Sequence, residues 1–144
     1  MSAIPVAVFV EREVAAPIAD VYAAWTTPAL MARWLSPTGR AEVEADVRVG
    51  GTFRVAMVGD GTRIEHTGEY LRLDPPHGLA FTWRSAYTGP DANVVTVTLT
   101  AREQHTLVQL SHERLPAATA ESHRGGWGTI LDRLQAVLAE SDGR

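Results

Sequence analysis

Apolar and polar positions alternate along most of this chain, and the period changes near its end. From Gly50 to Trp83 the pattern predicts three consecutive antiparallel strands, joined by turns at Gly59-Asp60-Gly61 and Asp74-Pro75-Pro76-His77-Gly78. Phe53, Val55 and Met57 in the first of these strands recur every second residue, as do Leu79, Phe81 and Trp83 in the third. Such alternation marks strands with one buried face. An earlier strand spans Val6 to Val14, with Val6, Val8 and Val10 on one face. Two later strands cover Asn93 to Thr100, where Val95, Val97 and Leu99 alternate with threonines, and Thr106 to Arg114, where Val108, Leu110 and His112 share a face.

Helical periods fill the remainder. Ile18, Val21, Tyr22 and Trp25 follow Pro17 at i, i+3, i+4 and i+7, which predicts a short amphipathic helix. Thr27-Pro28 opens a second one carrying Met31, Trp34 and Leu35, and Ser36-Pro37-Thr38-Gly39 ends it. Arg40 to Arg48 is a strand of weaker pattern. From Ala118 to Glu140, Trp127, Ile130, Leu131, Leu134, Val137 and Leu138 fall on one stripe of a long helix. The predicted order β-α-α-β-β-β-β-β-β-α is an α+β layer architecture, in which only the last helix is large enough to cover the sheet.

Composition narrows the chemistry. The chain has 144 residues, the size of one domain, and the whole of 1–144 is read as one. It contains no Cys, which removes thiolate nucleophiles, thiolate metal sites and disulfides. All 13 residues of its Lys+Arg total are Arg, so no Schiff-base lysine exists. A formal charge of −4 with scattered arginines argues against nucleic acid as a partner. No apolar run is long enough to span a bilayer. The opening MSAIPVAVFVERE has no basic n-region and reads as a strand rather than a signal peptide, so a cytoplasmic protein without membrane contact is expected.

Few residues stand out chemically. Trp25, Trp34, Phe53, Phe81, Trp83 and Trp127 all fall on predicted inward faces, and aromatics converging from several elements are how apolar pockets are lined. Val55, Met57, Val97 and Leu131 share those faces and complete the expected ligand-binding set. His112, inward on its strand, is the candidate ligand-orienting group or general base, with a carboxylate as partner. Glu65, His66 and Glu69 are read as a solvated strand face, with Gly68 as a bulge. His112-Glu113-Arg114-Leu115-Pro116 lacks the second histidine of a zinc helix motif, so neither a metal nor another cofactor is expected. Ser36, Ser85 and Ser111 lie outside any nucleophile-elbow context. Gly125, Gly126 and Gly128 cost a helix about 1 kcal/mol each relative to Ala. They imply either close approach to the sheet or a weak first turn that admits a ligand.

Four stretches together resemble the SRPBCC superfamily, and within it the homologues of the heat-shock-protein-90 ATPase activator. They are Val21 to Pro28 with Trp34 after it, Gly50-Gly51-Thr52-Phe53, Gly68-Glu69-Tyr70 through Pro75-Pro76 to Trp83, and Gly126-Trp127 followed by Leu131 and Leu134. The resemblance implies a helix-grip fold, a curved sheet wrapped around the C-terminal helix with a cavity between them. It implies a small hydrophobic or aromatic ligand in that cavity. Two alternatives remain: a protein-interaction module related to chaperone activation, and an enzyme of polyketide cyclase or aromatase type. Chaperone binding and a homodimer stay open as partnerships. True chaperone activators carry a further N-terminal domain, for which this chain has no room.

Overall fold

A computed structural model describes residues 6–89 and 92–142, without the side chains of 141 and 142. The reading of the first five residues lies outside them. Strand β1 (Val6–Val14) leads into helices α1 (Ile18–Thr26) and α2 (Pro28–Trp34), and β2 (Ala41–Ala45) follows. Strands β3 (Thr52–Gly59), β4 (Thr62–Asp74), β5 (Gly78–Thr82), β6 (Val94–Arg102) and β7 (His105–Leu115) then run in sequence to the long helix α3 (Ala117–Asp142). The seven strands form one antiparallel sheet in the order β1-β7-β6-β5-β4-β3-β2. With α3 across its concave face, this is the helix-grip fold.

Local chemistry explains the boundaries. Pro28 occupies the first turn of α2, where its missing N–H costs nothing, although Thr27 makes no side-chain cap. In β7, Val108, Leu110 and His112 point inward, and an extra residue then breaks the alternation. One residue of β1 (Ala7, between Val6 and Val8) opposes two of β7 (Glu113 and Arg114, between His112 and Leu115), and Arg114 takes a φ of 68°. The bulge turns Leu115 inward onto Val8 and Ala120, which seats the start of α3.

Gly68 is a point of close approach rather than a relaxed bulge. A Cβ there would collide with the Thr82 carbonyl oxygen and the Phe53 ring. The irregular register falls just beyond it, between Tyr70 and Arg72. His66, Gly68 and Tyr70 therefore keep one inward face, and the solvated face consists of Glu65, Thr67 and Glu69.

The aromatic core is dense. Trp25 meets Trp34 edge-on with ring centroids 4.6 Å apart, and Phe53 contacts Tyr70, Phe81 and Trp83 at 5.3, 5.5 and 5.9 Å. The void left among these rings is about 10 Å³, at the lower limit for holding one water. The Nε1 of Trp34 donates to the Ala24 carbonyl at 3.2 Å, tying α2 to α1. Trp25 Nε1 and the Tyr70 hydroxyl are buried without hydrogen-bond partners.

Candidate functional site

The space inside the grip lies toward the N-terminal half of α3, not among the core aromatics. A cavity of about 220 Å³ separates that half-helix from β3, β4 and the end of β5. Its deep walls are His66, Trp83, Trp127 and Ile130, all buried. Met57 and Gly126 are half-buried beside them, while Pro37, Tyr87, Thr119, Ser122 and His123 form the outer part. Trp83 is the partition: it packs on Phe53 behind, on Trp127 at 5.1 Å, and against His66 at 4.4 Å with the two planes 26° apart.

The expected ligand-binding residues divide in two. Met57, Trp83 and Trp127 line the cavity. Trp25, Trp34, Phe53, Val55, Phe81, Val97 and Leu131 are instead packed core residues. Around Trp25, Phe53 and Phe81 the void is only about 10 Å³. A broader hollow of about 760 Å³ is walled by Phe53 and Trp83 together with exposed side chains such as Glu44, Arg54, Thr67, Glu69 and Arg84.

His112 does not reach the cavity, and its ring has no free nitrogen. Trp127 Nε1 can only donate, and it donates to His112 Nδ1 at 3.1 Å. Nε2 must then carry the ring hydrogen, and it donates to Asn93 Oδ1 at 2.7 Å. Burial pushes the His112 pKa down to about 3, with smaller contributions from His123 and His66. A neutral ring with both nitrogens engaged and an amide partner rather than a carboxylate is a structural linchpin. His112, expected from sequence as a ligand-orienting group or general base, has the inward phase read for it on β7 but is not among the residues that line the cavity.

His66 reverses the other expectation. It is buried and lines the cavity, because the inward face of β4 runs through Gly68 to Tyr70 without a change of phase. Its Nδ1 is sealed off with no hydrogen-bond partner. Desolvation pulls its pKa to about 4 against the opposing pull of the Val55 and Ile64 carbonyls. His123 is the residue that periodicity passed over. It donates from Nδ1 to the Thr119 carbonyl of its own helix at 2.8 Å and stands edge-on to His112 at 5.2 Å. Since 123 precedes Trp127 by one helical turn, it belongs to the same stripe as Trp127, Ile130 and Leu134.

The glycines of α3 have separate roles. A Cβ on Gly126 would meet nothing within 4 Å, because it would project into open space at the cavity wall. Gly125 is similarly unobstructed. At Gly128 a Cβ would sit 3.1 Å from Nη2 of Arg12, whose guanidinium crosses the helix to pair with Asp132 at 2.8 Å. Of these three glycines only Gly128 is closely approached, and by the Arg12 side chain rather than by the sheet backbone.

Among the described residues no group of three or more metal-ligating side chains is assembled, and no helix is long and apolar enough to cross a membrane.

Comparison with known proteins supplies the lineage. The family model for activator of Hsp90 ATPase homolog 1-like protein matches residues 15–139. A Chromobacterium violaceum protein of known structure is 27% identical, with a TM-score of 0.80 over 91% of this chain and 96% of that one. A Rhizobium leguminosarum protein is 26% identical, with a TM-score of 0.80 over 96% and 97%. An Hsp90 activator from Plasmodium falciparum is 24% identical, with a TM-score of 0.77 over 93% and 96%, a likeness of fold. No curated protein is similar enough to this chain to be matched to it. With the family model spanning α1 through nearly all of α3, the chain belongs to the activator of Hsp90 ATPase homolog 1-like family of the SRPBCC superfamily.

Proposed function

We propose that this protein binds a small, largely apolar or aromatic molecule in the cavity beneath the N-terminal half of α3. The observation that carries this reading is the cavity itself: about 220 Å³ walled by the rings of Trp83, Trp127 and His66, with Ser122 and His123 at its edge. Pockets for drug-sized ligands run from about 300 to 1,000 Å³, and an apolar cavity of about 150 Å³ holds benzene. The occupant is therefore on the scale of one or two rings. Trp83 and Trp127 would report on it directly. Titration with naphthalene should quench or shift tryptophan emission to a one-to-one end point, and folded protein that shows no saturable change with any one- or two-ring compound would defeat the reading.

Family membership favours a second reading, stimulation of a chaperone ATPase. Its test is separate. Acceleration of ATP hydrolysis by an Hsp90-type chaperone from the same host would support it, and unchanged hydrolysis at saturating protein would exclude it. A cyclase-like reaction would use the same cavity, with His66 and His123 as the polar groups that converge there.

A further inference from the structure

The polar character of the cavity is specific about what kind of polar group a ligand can carry. No Arg, Asp or Glu is among the described residues that line it. A ligand carboxylate or ammonium would lose its hydration and find no opposite charge, which is costly in an interior site. A neutral ligand has no such cost.

An acceptor whose orientation is fixed by a second bond lies on His123. The Thr119 carbonyl can only accept, so Nδ1 of His123 carries the ring hydrogen and is used up within the helix. In the neutral ring, Nε2 is then a lone-pair acceptor with its orientation set by that bond. Among the neighbouring imidazoles, His112 does not compete for the same ligand atom. His112 is saturated by Trp127 and Asn93, and the Nδ1 of His66 is sealed from solvent. His66 instead lies nearly parallel to Trp83 and extends that flat wall.

We propose that the cavity selects a neutral aromatic alcohol, a phenol or naphthol in type, whose hydroxyl donates to Nε2 of His123 while its ring packs on Trp83 and Trp127. This inference rests on the ligand-binding reading above and adds the ligand's polar group. Nothing in it requires catalysis.

Three matched probes test it: 2-naphthol, 2-methoxynaphthalene and 2-naphthoate, each titrated calorimetrically under the same conditions. Naphthol should bind about fivefold or more tighter than its methyl ether, the scale of one hydrogen bond, and naphthoate should bind weakest of the three. His123→Phe should bring naphthol down to the affinity of the ether, whereas His123→Gln, which retains an acceptor oxygen, should restore part of the preference. Long-range proton–nitrogen spectra of the unaltered protein provide a readout that needs no variant. The Nε2 signal of His123 should move on adding naphthol but not the ether. Ether and naphthol binding equally, naphthoate binding as tightly as naphthol, or an Nε2 signal indifferent to naphthol would overturn the hydroxyl assignment and leave the cavity standing. Failure of all three probes to bind would remove both readings together.

Discussion

The indole of Trp127 donates its only hydrogen to Nδ1 of His112 at 3.1 Å, and this one bond settles the state of the imidazole and the boundary of the site. It forces the second ring nitrogen to donate to Asn93 and holds Trp127 in place as part of the cavity wall. His112→Phe keeps the ring but strands a buried indole N–H and a buried amide oxygen. The variant should lose about 3 kcal/mol of unfolding free energy, since each stranded group costs about 1–3 kcal/mol. Denaturant titration showing a loss below about 1 kcal/mol would mean that these bonds contribute little.

Acid should destabilise the fold before its carboxylates are protonated. His66 and His112 have folded pKa values lowered to about 4 and about 3 from an ordinary value of 6.5. Below pH 6.5 the unfolded chain takes up protons that the folded rings refuse, so stability is complete above that value and falls as pH drops toward 4. Each ring can contribute up to about 1.4 kcal/mol per pH unit in that window. Denaturation midpoints measured across it should decline for the wild type and decline less steeply for His112→Phe. A flat profile would show that these rings are protonated in the folded state.

Two buried aromatics should respond in opposite ways. Trp34 is fully buried and hydrogen-bonded, and Trp34→Ala should cost about 3 kcal/mol or more. Tyr70→Phe removes a hydroxyl that has no partner and should be neutral or slightly stabilising. Equilibrium unfolding of the pair checks both, and a large loss in Tyr70→Phe would reveal a partner for that hydroxyl.

The element order was legible because nearly every strand buries one face and α3 buries one stripe, so period alone identifies them. Period reports direction, however, and not what lies in that direction. Trp25, Phe53 and Phe81 all point inward as expected, yet they interlock with Trp34 and Tyr70 to within about 10 Å³ of solid packing. The filling of an interior depends on how rings from distant strands mesh, which no local pattern encodes. His66 was obscured by its neighbours Glu65 and Glu69, although its spacing from Gly68 and Tyr70 carried the correct phase. His123 was visible in principle as an extension of the Trp127 stripe, but a polar residue near a helix start attracts little weight in an apolar pattern.

Glycine substitutions separate the two reasons a glycine can be present. Gly68→Ala should cost about 3 kcal/mol or more, because its methyl group would overlap the Thr82 carbonyl, which belongs to the sheet and cannot turn aside. Gly125→Ala meets nothing and should stabilise α3 by up to about 1 kcal/mol. Thermal denaturation that ranks these two in the other order would contradict the backbone described for β4 and α3.

Gly126 gives the most direct test of the site. Its absent side chain leaves part of the cavity empty, so Gly126→Leu should occupy the ligand's place while α3 and the aromatic core stay intact. Calorimetric titration of naphthalene into wild type and Gly126→Leu, each confirmed folded by circular dichroism, is the deciding measurement. The cavity account predicts one saturable site in the wild type and none in the variant. Equal binding to both proteins would place the ligand elsewhere on the molecule and contradict the account.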